Sequence, residues 1–252
     1  MKDDVKGHPG HAGKAGHKAN NILRLVAWEV TRQCPLNCRH CRASAKNKKY
    51  SEEYLLQAQT DDFHVTIIRP SHTYNDKMLI SQLKSNKHPF TMINRMVQDK
   101  LIIMPDDGME LWTLTYNADF AHAFVDILGN PKTYGEFYHL TSDKVYTWER
   151  INEMICEAVG VKPHIIYIPW DFIFTHFPEF KPEIYGDKYT SAVFDNSKIK
   201  AVSSHYRCET DYDNIVKKAV KYYLDNEELQ IIDEEFDKRY DECILAFQET
   251  KK

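Results

Sequence analysis

A mixed α/β fold is predicted by two features of the sequence. Short runs rich in branched and aromatic residues alternate with longer stretches whose apolar residues recur every three or four positions. The 252 residues are 42% hydrophobic and 28% charged, enough for a sizeable core in one large domain or two small ones.

Residues 1–21 are polar, rich in Gly, His and Lys, and without apolar periodicity, so a disordered tail is expected. Gly7, Gly10 and Gly13 imitate a nucleotide-binding turn. That turn needs a buried strand before it and a helix after it, and here Lys2-Asp3-Asp4 precede it. His8, His11 and His17 offer at most a weak metal site on such a tail. The run from Ile22 to Val30 reads as a strand leading into a cysteine-rich loop. From Lys48 the pattern turns helical, with Tyr50, Tyr54 and Leu55 spaced along it. A strand from His64 to Ile68 is expected to end at Arg69-Pro70. After a mixed stretch, two more short strands are expected at Leu101–Pro105 and Leu111–Thr115.

The middle of the chain reads as strand–helix alternation. Asn117 is expected to cap a helix carrying Phe120, Phe124 and Ile127, stopped by Gly129 and Pro131. Phe137–Leu140 is a strand. Thr147 is expected to cap a second helix, with Trp148, Ile151, Ile155 and Ala158 on one face and Gly160 and Pro163 beyond it. His164–Ile168 is a further strand. From Asp211 two helices follow, with Leu229, Ile232, Phe236 and Ile244 as the buried stripe of the last.

Composition narrows the function classes. Acidic residues outnumber basic ones 37 to 33, a net charge of −4 that argues against a broad nucleic-acid binder. Mean hydropathy is −0.56. No apolar run approaches the ~18 residues of a membrane-spanning helix. The amino terminus lacks the apolar core of a secretory signal, so a cytoplasmic location is expected. Of nine glycines, four lie in the first 16 residues, and none falls between Gly16 and Gly108. A complete dinucleotide-binding domain needs a glycine-rich turn after its first strand, which that distribution does not supply.

Cys34, Cys38 and Cys41 form a C-x3-C-x2-C cluster just after the first predicted strand. Three thiolates at this spacing can hold three irons of a [4Fe–4S] cluster and leave the fourth open. Zinc with His40 as fourth ligand, or chance clustering in a loop, are the competing readings. The stretch ILRLVAWEVTRQCPLNCRHCRASA, residues 22–45, resembles the opening of radical S-adenosylmethionine enzymes, notably those of haem biosynthesis and peptide modification. The resemblance implies cluster ligation by Cys34, Cys38 and Cys41, S-adenosylmethionine on the open iron, and Trp28 on the preceding strand. It covers 24 residues, and beyond Ala45 the family's later features, notably its glycine-rich segment, are missing.

Residues 46–252 resemble something else, the carboxy-terminal half of the extended short-chain dehydrogenase/reductases, the NAD-dependent epimerase/dehydratase family. KNKKYSEEYLL, HVTIIRPSHTY, WTLTYNADFAHAFVDIL, FYHLTSDKVYTWERINEMICEAVG and VFDNSKIK carry the likeness in order. It implies an incomplete Rossmann-like α/β fold with substrate-domain elements, NAD(P) as cofactor, and a small-molecule substrate, a nucleotide sugar being the family's common choice. By the same likeness Lys49 is the catalytic lysine and a cofactor contact, and Arg69, Pro70 and Thr73 border the nicotinamide. That chemistry needs a Tyr-x-x-x-Lys pair, in which the lysine ammonium lowers the tyrosine pKa. Ala45 stands four residues before Lys49, and alanine moves no proton.

The expectation is therefore a chimera: a tail over 1–21, a radical-enzyme-like strand and cluster loop over 22–45, and an epimerase/dehydratase-like half over 46–252. It is expected to be defective in catalysis, or alternatively to be an iron–sulfur fragment or a non-catalytic binding module. No nucleic-acid or membrane partner is expected. Apolar faces left open by missing strands are expected to favour aggregation or a homodimer. Lys49 also reads as a solvated helix lysine, Arg69 as a strand end, and Asp119 as a partner of its helix dipole. His72, His122 and His139 have no partners apparent in the sequence.

Overall fold

A computed structural model describes the backbone of residues 26–28 and residues 52–252 apart from Ser204. The first strand, β1 (Val26–Trp28), lies inside the run read as a strand and pairs in parallel with β2 (Thr66–Pro70), Val26 opposite Thr66 and Trp28 opposite Ile68. Residues 52–57 form a helix, α1, within the stretch read as helical from Lys48. The other side of β2 pairs in parallel with β6 (Phe137–Leu140), giving the order β1-β2-β6. β2 was expected to stop at Arg69-Pro70. It runs through Pro70, which sits opposite Leu140 at the last position of the strand, where a missing ladder donor costs little.

A second sheet has the order β3-β5-β7: β3 (His72–Tyr74) runs parallel to β5 (Leu111–Tyr116), and β7 (Val145–Thr147) antiparallel to it. A third pairs β4 (Ile102–Pro105) in parallel with β8 (Ile165–Ile168). All five residues of β2 and all four of β4 are buried. Burial on both faces is what their continuous apolar runs imply. Between β4 and β5 the chain turns at Gly108, which has φ +68°. A Cβ there would come 2.7 Å from the Met104 sulfur, so glycine is needed both for the turn and for the close approach.

The helices follow their sequence signals with instructive exceptions. α2 (Phe90–Val97), in the stretch read only as mixed, buries Phe90, Met92, Ile93 and Met96. α3 (Asn117–Ile127) buries Phe120 and Ile127. Its expected cap, Asn117, is instead its first residue. Tyr116 holds the cap position with extended backbone and no side-chain cap bond, because β5 runs straight into the helix. In α4 (Trp148–Val159) the expected cap stands: the Thr147 hydroxyl accepts from Arg150 N at 3.1 Å, and Gly160 ends the helix in the left-handed conformation.

Beyond β8 come α5 (Trp170–His176), α6 (Lys181–Glu183) with a π-turn over Ile184–Lys188, α7 (Ser197–Val202), α8 (Tyr212–Leu224) and α9 (Glu234–Glu249). Phe236 and Ile244 are buried on α9 as expected. Leu229 and Ile232 lie before that helix begins, and Ile232 is exposed. Asp233 caps α9 by accepting from Phe236 N, so the stripe read across 229–244 starts too early.

Two cores result. The larger joins β3, β4, β5 and β8 to α2, α4, α5, α8 and α9 through Trp112, Trp148, Phe177 and Tyr240. The smaller packs Ile68, Tyr138 and Leu140 of the first sheet against Phe120 and Ile127 of α3 and Ile199 of α7. Among the described residues no helix is long and apolar enough to cross a membrane.

Candidate functional site

In open parallel sheets, ligands bind outside the carboxyl ends of the strands. Here those ends are knitted by one hydroxyl. Thr115 of β5 shares a 2.6 Å hydrogen bond with Ser71, just after β2, and accepts from Ser142 N, just after β6, at 2.8 Å. Asn196 completes the frame: its amide donates to Thr141 O and Asp143 and accepts from the Thr141 hydroxyl. Asp119, read as a dipole partner, has a tertiary role as well. It accepts from both the amide and the hydroxyl of Thr210, anchoring the chain ahead of α8.

Above this frame a narrow crevice, too tight to hold a water molecule, is lined by Ser71, His72, Trp112, Thr113, Asp187, Ala192 and Phe194. Its roof is the strap after the π-turn. Ala192 N donates to Leu111 O at 2.8 Å, Thr113 Oγ1 donates to Ala192 O at 2.7 Å, and Ser191 Oγ accepts from Leu111 N. The strap therefore lies along the edge of β5 that β3 leaves open at Leu111–Thr113. The π-turn beneath it brings Asp187 to the crevice and buries Lys188, which ion-pairs with Glu183. Such turns recur at functional sites.

His72 is the polar centre of the wall. The Trp112 indole N–H donates to His72 Nδ1 at 3.2 Å. Burial, reinforced by the charges of Lys188 and Lys84, pushes the imidazole pKa down to about 3. The ring is therefore neutral. Lys84 is half-buried and pushed down by burial and by Lys188, with Glu183 opposing. Its ammonium donates to Asn86 Oδ1 at 3.5 Å and has no carboxylate within ion-pair distance among the described residues. Gln82 is buried; its amide nitrogen donates to Lys188 O, and its Oε1 has no partner among the described residues.

The residues singled out from the sequence fall as follows. Lys49, Ala45, Cys34, Cys38, Cys41 and His40 lie outside the described residues, as do the tail and the junction at 43–46. Arg69 is buried on β2 and committed to a bidentate ion pair with Glu52 of α1, its guanidinium 4.2 Å over the Phe137 ring. Pro70 is buried in the strand, and the Thr73 hydroxyl donates to Ser71 O at 3.4 Å. The structure brings Arg69, Pro70 and Thr73 to one strand end, around His72. These side chains do not by themselves make a dinucleotide cradle, because the guanidinium and the Thr73 hydroxyl already have protein partners. His139 packs edge-on against Phe194 at 5.2 Å, and no cluster of three metal-ligating side chains occurs among the described residues.

The residues around the crevice, His72 and Trp112 in its wall and Gln82, Lys84 and Lys188 nearby, were not assigned by sequence reasoning. One signal was available: His72 sits between Pro70 and Thr73, both already placed beside a cofactor.

Comparison with known proteins supports the same architecture. Residues 29–141 match the model of the NAD dependent epimerase/dehydratase family. An epimerase of Methanothermobacter thermautotrophicus superposes with a TM-score of 0.59 at 12% identity, over 81% of this chain and 60% of its own. The dTDP-glucose 4,6-dehydratase of Bacillus anthracis, solved with NAD, gives 0.56 at 18% identity, over 83% and 64%. The fold is that of the extended short-chain dehydrogenase/reductases. Among curated proteins, the chain is 26% identical over 141 residues to the Arabidopsis thaliana chloroplast stem-loop binding protein of 41 kDa b, covering 54% of this chain and 36% of that protein. It is also 56% identical over 59 residues to the AdoMet-dependent heme synthase of Oleidesulfovibrio alaskensis, covering 21% of this chain and 15% of that enzyme. The chain thus spans well under half the length of the curated relatives it matches.

Proposed function

We propose that this chain is an epimerase/dehydratase-type protein that binds a nucleotide sugar and does not turn it over as written. The observation that carries the reading is the polar frame at the carboxyl ends of the strands, where Thr115 binds Ser71 and Ser142 at the place ligands of such sheets occupy. The family match over residues 29–141 and the likeness to sugar-nucleotide dehydratases support it. Ala45 in place of the catalytic tyrosine, and Arg69 engaged by Glu52, support the loss of turnover. When bound, NAD(P) would supply hydride transfer; this chain's described residues bind and orient the sugar side alone. No nucleic-acid partner is included, because acidic residues exceed basic ones. Calorimetry with dTDP-glucose should show saturable binding, and NADH fluorescence should show no micromolar affinity. Failure of the first, or micromolar NADH binding, overturns the corresponding half of the proposal.

A second reading is favoured by the heme synthase likeness: an iron–sulfur site on Cys34, Cys38 and Cys41, with S-adenosylmethionine as its ligand. Anaerobic reconstitution should then give a visible absorption band that responds to S-adenosylmethionine and disappears in Cys38→Ser. A colourless protein after reconstitution removes this reading.

A further inference from the structure

The strap that roofs the strand-end crevice is held differently from the elements around it. From Tyr189 to Asp195 no residue is buried: Tyr189, Thr190, Ser191, Val193 and Asp195 are exposed, and Ala192 and Phe194 are half-buried. Apolar burial therefore contributes little to keeping the strap down. Among the described residues, its hold on the body is hydrogen bonds to β5, at Leu111 N, Leu111 O and the Thr113 hydroxyl, together with the Phe194 ring against His139. The bond from Leu111 N to Ser191 Oγ is itself exposed. Both ends, by contrast, are fixed. Lys188 is buried at the close of the π-turn and ion-paired with Glu183, and Asn196 is buried and bonded to Thr141 and Asp143. A span pinned at its ends, and held between them by bonds that water can replace, opens at far lower cost than the core. Beneath it the crevice admits no water molecule, yet its walls include Ser71, which also belongs to the Thr115 frame, with His72 and Thr113. With the strap down, nothing reaches those groups from this side.

We propose that the strap, residues 189–195, is a gate. It lifts off β5 as a unit, hinged just after the π-turn and just before Asn196, while the sheets stay folded. The crevice is a site only in that open form. That a nucleotide sugar is what enters rests on the reading above; the opening does not.

Native-state hydrogen exchange on the full chain, at rising urea below the unfolding transition, tests it. Two backbone bonds of equal length make the comparison: Ala192 N to Leu111 O in the strap, and Ile102 N to His164 O in buried β4, both 2.8 Å. After correction for intrinsic rates, Ala192 should exchange at least ~100-fold faster than Ile102, at a rate that urea leaves unchanged. The Trp112 indole N–H, in the crevice wall and bonded to His72 Nδ1, should follow Ala192; its signal is assigned with Trp112→Phe. Ser191→Ala removes an exposed partner of Leu111 N. It should speed Ala192 and the Trp112 indole by the same factor, about 5-fold, and leave Ile102 unmoved. Exchange of Ala192 that rises with urea in step with Ile102 means that the strap moves only on global unfolding, and overturns the proposal. A fast Ala192 beside a Trp112 indole as slow as Ile102 overturns it too, because the strap then frays without uncovering the crevice. If the gate pattern holds while dTDP-glucose fails to bind, the gate stands and the nucleotide-sugar reading falls. If dTDP-glucose binds to a protein whose strap shows no such exchange, the gate falls and that reading stands.

Discussion

Two polar clusters among the described residues, one around Arg95 and one around His72, are satisfied to different degrees. Around Arg95, nearly every group has a partner. The fully buried guanidinium donates to Asp237 Oδ1 at 2.5 Å, Asp241 Oδ1 at 2.8 Å and Leu101 O at 2.9 Å, and lies 4.2 Å over the Tyr240 ring. Lys100 joins the same two carboxylates, and among the described residues Arg95 Nε is left without a partner. Around His72, the balance is reversed. Among the described residues, Gln82 Oε1 has no partner and the Lys84 ammonium reaches only Asn86 Oδ1. Buried polar groups are normally paired, so a saturated cluster reads as a fastening and an unsaturated one as a place for something else. Arg95 fastens α9 onto α2 and β4; the His72 cluster lies just beyond the carboxyl end of β2.

Substitutions should separate the two. Arg95→Leu leaves two carboxylates without their buried partner and should cost about 3–5 kcal/mol in urea denaturation. A loss below about 1 kcal/mol would mean that the fastening is not one. Asp237→Asn should cost about 1.5–3 kcal/mol at pH 7 through lost charged hydrogen bonds. Burial acts to raise the Asp237 carboxyl, but the bonds from Lys100 and Arg95 outweigh it and hold the group below the usual range. Its stabilisation is therefore complete above ~3.9, the ordinary aspartate value, and is lost as pH falls from there through the lower folded value. Urea midpoints measured from pH 7 into that acid window should fall less steeply in the Asn variant than in the unsubstituted protein.

Thr147→Ala removes the cap of α4 and should cost about 1 kcal/mol, a calibration independent of both clusters. The smallest effect is expected around His72. Gln82→Leu and Lys84→Met each remove a single 3.5 Å hydrogen bond together with a polar group that is otherwise unpaired among the described residues, so thermal denaturation should show a change within about 0.5 kcal/mol. A loss of several kcal/mol at either position would show that this cluster, too, is a structural fastening.

The sequence was most legible where one residue acts alone. Thr147 and Gly160 bound α4 as their side chains dictate, and the apolar run Phe137–Leu140 is the strand β6 to the residue. It was less legible where neighbours in space decide. Asn117 has the chemistry of a cap, yet the strand β5 carries its helical entry one residue earlier, at Tyr116. Ile232 fits the apolar period of α9, yet Asp233 begins that helix after it. Arg69 was placed beside a cofactor by likeness, and the structure adds the Glu52 pair that no pattern shows, 17 residues away. Asp119 reaches Thr210 across 91 residues.

By itself the sequence determined the α/β class, most strand positions and the main helix bounds, because hydrophobic period, caps and glycine conformations act over a few residues. Its motifs also named the families it resembles. Only the tertiary structure decided which polar groups are spent and which are left over. A buried charge or donor has no fixed meaning until its partners are known, and those partners lie 40 residues from His72, at Trp112, and 142 from Arg95, at Asp237.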